Sequence, residues 1–260
     1  MAYTDRRRPG EVHIMVQSTP GVPGQSEQPS LSTEAHIPAA HVTLEGHFFL
    51  PQVNVPVVVF AHGSGSGRNS ERNQYVASVL HEAGLGTLLL DLLSPQEETD
   101  RGNAFDIPRL AQRLTAAEAW VHRQPQSMSS PVGFFGASTG ASAALWAAAE
   151  PGARVGAVVS RGGRPDLAER RLGTVEAPTL LIVGSEDQEV LEFNRQAQSE
   201  LQCENALEIV GGATHLFEEP GTLEQVARLA SEWFARHLPS APAIDPRDAE
   251  PTATDPQTGP

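Results

Sequence analysis

Residues 131–149 (PVGFFGASTGASAALWAAA) read as a buried strand, a turn too tight for side chains and a helix, and the rest of the chain has to be arranged around them. Within this stretch Gly136-Ala137-Ser138-Thr139-Gly140 matches G-x-S-x-G, in which a serine occupies a sharp strand-to-helix turn and small residues let neighbouring backbones pass close. Val132 to Phe135 have the continuous apolar character of a strand covered on both faces, and Ala141 to Ala149 are small enough to pack tightly on a sheet. Ser138 is therefore expected at the carboxyl edge of a sheet, with the first N–H groups of the following helix aimed at whatever it attacks. The same five residues also fit an ordinary turn with a solvated serine, so the flanking pattern and the other strand ends must decide.

Further apolar runs recur at regular spacing. Val55 to Ala61 ends in His62-Gly63-Ser64-Gly65-Ser66-Gly67, Gly86 to Leu90 ends at Asp91, and Val155 to Ser160 leads into Arg161-Gly-Gly-Arg164. Pro178 to Gly184 ends in Ser185-Glu186-Asp187, and Ala206 to Val210 is followed by Gly-Gly-Ala-Thr-His215. Helical spacing separates these runs, around 72–83, 108–122, 189–201 and 224–237. Alternating strands and helices predict an α/β fold with a doubly wound, mostly parallel sheet, whose ligand edge is formed by the carboxyl ends of the strands. Residues 1–38, rich in Pro, Gly, Ser, Thr and Gln apart from a possible strand at Val12 to Val16, are expected to be mostly disordered. The folded domain is expected over 39–238, and the Pro-, Ala- and Asp-rich 239–260 as a disordered tail.

Composition removes several chemistries. All 18 basic residues are arginine, so a Schiff base, a pyridoxal phosphate anchor and the lysine of a phosphate-binding loop are excluded. A net charge of −14 opposes general binding to nucleic acid or to an anionic membrane. The lone Cys203 rules out an intrachain disulfide and fits a reducing compartment. With neither a secretory apolar region nor a membrane-length run in view, a cytoplasmic location is the expectation, and no metal or organic cofactor is expected.

The strand ends then supply a constellation. A serine hydroxyl needs a neutral imidazole to take its proton and a carboxylate to orient the ring, and Ser138, Asp187 and His215 provide these in the chain order known for α/β-hydrolases. Glu186 or Asp91 could take the place of the acid, Asp187 then being a helix cap. The N–H of Thr139 and that of Ser64 are the expected oxyanion donors. His62, directly before the glycine-rich loop, reads better as a brace for the turn than as a base.

These residues resemble the α/β-hydrolase superfamily. The pairing of His62-Gly-Ser-Gly-Ser-Gly67 with Gly136-Ala-Ser-Thr-Gly140 is similar to its dienelactone-hydrolase-like branch, over about Val42 to Leu238. Members of that branch proper use a cysteine nucleophile where this chain has Ser138, which favours ordinary ester chemistry over a particular lactone. The resemblance implies a serine hydrolase that cleaves carboxylic esters or lactones of small soluble substrates through an acyl-enzyme. Acyl transfer by the same triad, or ligand binding on a hydrolase scaffold, are the alternatives. Only residues 161–177 separate two strands where a lid is commonly inserted, so a minimal lid and a shallow site are expected. Arg161 and Arg164 would lie near its mouth, either to pair with a substrate carboxylate or to pair with the chain's own acids.

Overall fold

The computed structural model describes residues 30–239. Eight strands form one sheet in the order β1-β2-β4-β3-β5-β6-β7-β8. They are β1 (Leu31–Ala39), β2 (Val42–Leu50), β3 (Val57–Ala61), β4 (Gly86–Leu90), β5 (Val132–Ala137), β6 (Val155–Arg161), β7 (Thr179–Gly184) and β8 (Asn205–Val210). β1 and β2 form an antiparallel hairpin that joins β4 antiparallel, and every pairing from β4 through β8 is parallel. This is the expected doubly wound α/β-hydrolase arrangement.

The continuous apolar runs are explained by helices on both faces. Alternate residues of each parallel strand feed opposite cores: Val57, Val59 and Phe134 face α2 (Ile107–Val121) and α3 (Thr139–Ala148), whereas Val58, Phe60 and Phe135 face α1 (Glu71–Glu82) and α5 (Thr222–His237). α4 (Gln188–Glu200) covers the far end of the sheet through Val190 and Leu191, packed with Val183. α1 buries Asn73, Val76, Ala77 and Leu80, an i, i+3, i+4, i+7 stripe, so Tyr75, part of the apolar spacing in the sequence, faces outward at 39% exposure.

The ordered domain starts earlier than expected. Residues 31–38, assigned from sequence to a disordered N-terminal segment, form most of β1, because Ala35, Ile37 and Ala39 alternate inward onto the core while the intervening residues face out. Pro38 is tolerated there because β1 is an edge strand. The possible strand at Val12 to Val16 and the tail beyond residue 239 lie outside the described residues. Between β6 and β7 the chain makes only short 3-10 turns over Pro165–Thr174, broken at Glu169, so the lid is minimal. No helix among the described residues is long and apolar enough to cross a membrane.

One packing detail makes stability depend on pH. His81 in α1 lies against Phe49 with ring centroids 3.9 Å apart, and its Nε2 is 2.7 Å from Thr87 Oγ1. Burial pushes its pKa down to about 4. The ring is neutral in the folded chain but protonates near its ordinary value of about 6.5 once unfolded. The folded state therefore has its full advantage above pH 6.5 and loses it as pH falls towards 4. Allowing for the ring's partial exposure, the loss is on the order of 1–2 kcal/mol. The fall in melting temperature between pH 7 and pH 5 is expected to be smaller in His81→Gln than in the wild type; equal falls would refute the assignment.

Candidate active site

Ser138 joins β5 to α3 with φ 52° and ψ −122°, a backbone conformation that L residues rarely adopt and that costs roughly 1–3 kcal/mol to hold. The surrounding structure enforces it. The Ser138 N–H donates to Arg161 O at 3.2 Å, and Ser138 O accepts from the N–H groups of Ala141 at 3.1 Å and Arg164 at 3.2 Å. A Cβ on Gly140 would run into the carbonyl oxygens of Ala61 and His62, so only glycine lets α3 start this close to β3. Gly63 passes as near on the other side, where a Cβ would lie 2.9 Å from that of Ser138.

The turns after β7 and β8 are zipped together. Ser185 N–H donates to Val210 O at 2.9 Å, Glu186 N–H to Ala213 O at 3.0 Å, and Gly212 N–H to Ser185 Oγ at 2.8 Å. This pairing brings Asp187 Oδ2 to 2.6 Å from His215 Nδ1. The alternative acids are engaged elsewhere: Glu186 accepts from the Ser185 hydroxyl, and Asp91 holds the backbone N–H and guanidinium of Arg68. With Nδ1–H donating to Asp187, Nε2 of His215 is the basic nitrogen, and among the described residues it has no partner. The ring packs against Gly162, where a Cβ would lie 3.5 Å from both Nδ1 and Cε1. Gly162 directly follows the residue whose carbonyl receives the Ser138 N–H. The Ser138 hydroxyl has no hydrogen-bond partner among the described residues, His215 included.

His62 is the brace anticipated from its position. Only 6% exposed, it accepts the Leu92 N–H at Nε2 (2.8 Å), and its Nδ1 donates to Gly63 O at 2.9 Å. That fixes a neutral tautomer and ties the loop after β3 to the loop after β4. Neither the Thr139 nor the Ser64 N–H is bonded to another backbone group, and both residues line a cleft of about 880 Å3.

The far wall of this cleft is the segment after β4, a part of the site that sequence reasoning missed. It consists of 3-10 turns over Glu97–Thr99 and Arg101–Phe105, and Glu98, Asp100 and Arg101 line the cleft. Arg113 of α2 grips Glu97 with two nitrogens and also donates to Leu92 O. Chiefly through those Arg113 hydrogen bonds, the Glu97 carboxyl is held at about 2, well below the usual carboxylate range. No periodicity announces this wall.

The two candidate substrate arginines separate. Arg164 closes a two-nitrogen fork on Asp166 at 2.9 and 2.7 Å, which raises its pKa and leaves it committed to the chain's own acid, and it lies over the Phe193 ring. Arg161 is buried, and among the described residues its side chain has no hydrogen-bond or ion-pair partner. The described residues contain no group of three or more His, Cys, Asp or Glu side chains able to hold a metal.

Two proteins of Mycobacterium tuberculosis, described as "Putative phosphoribosyl transferase" MT0597 and Rv0571c, are each 56% identical over 238 residues. That is 92% of this chain but 53% of theirs, so the chain spans about half the length of these curated relatives. A dienelactone hydrolase from Anabaena variabilis ATCC 29413 is 50% identical and superposes with a TM-score of 0.78, covering 80% of this chain and 99% of that one. A dienelactone hydrolase-like promiscuous phosphotriesterase from metagenomic libraries shares the fold at 18% identity and a TM-score of 0.68, covering 80% of this chain and 99% of that one. The family model for dienelactone hydrolases matches residues 44–238, and the chain belongs to the dienelactone hydrolase family.

Proposed function

We propose that the protein is a serine hydrolase that opens carboxylic esters or lactones of small soluble substrates through an acyl-enzyme. The observation that carries this reading is the 2.6 Å pairing of Asp187 with His215 at the rim where the strained Ser138 turn stands. In this reading Ser138 Oγ attacks the carbonyl carbon while His215 Nε2 takes its proton, and the new oxyanion lies against the N–H groups of Thr139 and Ser64. The imidazolium then protonates the departing alkoxide. Water, deprotonated by the same nitrogen, hydrolyses the acyl-enzyme and regenerates Ser138. No cofactor or metal enters any step. Family membership and the hydrolase fold support hydrolysis in general.

Phosphoribosyl transfer is said of relatives nearly twice as long as the part this chain spans, and the residues assembled here are suited to acyl chemistry. A fluorophosphonate probe tests the reading. The wild type is expected to be labelled covalently and Ser138→Ala to be unlabelled with an unchanged melting temperature. An unlabelled wild type, or equal labelling of both, would overturn it.

A further inference from the structure

Arg161, the last residue of β6, points into the α1/α5 side of the sheet and is only 8% exposed. Its Nε and Nη1 are enclosed, none of its nitrogens has a hydrogen-bond partner among the described residues, and the Phe217 ring lies 5.9 Å from the guanidinium carbon. Buried guanidinium groups are ordinarily paired with an acid, and this chain carries 32 acids against 18 arginines. The charge that acts on Arg161 is instead a second cation, Arg72, at the start of α1. Burial first, and Arg72 second, bring its pKa down to about 10, which still leaves it charged at neutral pH.

Arg72 lines the cleft beside Ser64 and Thr139. One of its nitrogens, Nη1, reaches Glu218 at 2.9 Å, and its Nε is enclosed and unpartnered. Arg161 is tied to the nucleophile through its carbonyl, which receives the Ser138 N–H, and Phe217 follows His215 by two residues with φ 55°. Arg161 and Arg72 meet at one short segment, Phe217-Glu218: the Phe217 ring lies against the first, the Glu218 carboxylate pairs with the second, and among the described residues no acid pairs with Arg161.

We propose that Arg161 and Arg72 form a subsite for an anionic oxygen group of the substrate, and that this group is a phosphate in preference to a carboxylate. Three enclosed N–H donors without partners suit the several oxygens of a phosphate better than the two of a carboxylate. Two cations, one of them shared with Glu218, also favour the more highly charged ligand. The substrate is then a phosphorylated acyl ester, its acyl carbon at Ser138 and its phosphate at the arginines. This step rests on the hydrolase reading for its catalytic half only.

Binding is measured first, on full-length Ser138→Ala, by calorimetric titration of inorganic phosphate at constant ionic strength, with succinate as the carboxylate arm and chloride as the control. Phosphate is expected to bind saturably and more tightly than succinate, with affinity falling about tenfold or more in Arg161→Met and in Arg72→Gln. Arg161→Lys, which keeps the charge but loses the fork, should fall between and covers the case in which Arg161→Met does not fold. Saturable binding no stronger than the chloride control allows, tighter binding of succinate, or affinity unaltered by the Arg161 variants would each overturn the proposal. On the active chain, kcat/KM for 1-acetylglycerol 3-phosphate is expected to exceed that for 1-acetylglycerol by about tenfold, a preference that the Arg161 variants remove. If both esters are cleaved equally and phosphate does not bind, the subsite is wrong and the hydrolase reading stands. If phosphate binds through Arg161 but neither ester is cleaved, the hydrolase reading is the one that fails.

Discussion

His215→Ala is expected to lower kcat/KM for p-nitrophenyl acetate by about 10⁴-fold or more while leaving the melting temperature within a few degrees of the wild type. In the proposed mechanism the ring is the proton acceptor for Ser138 and then the donor for the leaving group, and among the described residues His62 cannot replace it because both its nitrogens are engaged by backbone groups. Little stability should be lost, because the side chain is 39% exposed and its one hydrogen bond goes to Asp187. Asp187→Asn should come close to the same loss, about 10⁴-fold, since an amide would favour the wrong tautomer. Glu186→Gln should stay within a few-fold of the wild type, since among the described residues the Glu186 carboxylate hydrogen-bonds only to Ser185. Full activity of His215→Ala, or a larger loss at Glu186 than at Asp187, would break the assignment.

The second large effect is on stability. Gly140→Ala adds one methyl group at the point where α3 meets the end of β3, and the carbonyl oxygens of Ala61 and His62 already occupy that space. Backbone cannot rotate away as a side-chain tip can, so the helix must lift off the sheet. The expected destabilisation is about 3 kcal/mol or more, a shift of roughly 6–12 °C in melting temperature for a domain of this size. The lift would also carry the Thr139 N–H away from its place beside Ser64, so activity measured below the melting transition should fall as well. A thermal melt of Gly140→Ala superimposable on that of the wild type would show that this approach is looser than described.

Much of this architecture could be read before any coordinates. Parallel strands covered on both faces must be apolar throughout, so Val57 to Ala61, Val132 to Phe135 and Thr179 to Gly184 announce themselves without alternation. Ser138, Asp187 and His215 stand out because each follows such a run. What stayed hidden had no local signature. β1 is recognisable only once β2 is there to pair with it, since its outward residues and Pro38 look like a linker. The wall at 94–106 is held to α2 chiefly by polar contacts, Arg113 on Glu97 and Arg109 on Asn103, with no hydrophobic period to betray it. Arg164 and Arg161 look alike in the string of letters, and only the placement of Asp166 separates a committed cation from an unpaired one.

The zipped turns after β7 and β8 have a mechanical consequence. His215 and Asp187 ride on adjacent strand ends tied by backbone hydrogen bonds, whereas Ser138 stands on β5, with β6 interposed. Any flexing of the sheet's twist therefore leaves the imidazole correctly aimed along its carboxylate and changes only how far it stands from the hydroxyl. Heat, pressure or a docking molecule would then tune the reaction through a single gap, acting like a rheostat on proton hand-over with the chemistry of the pair untouched.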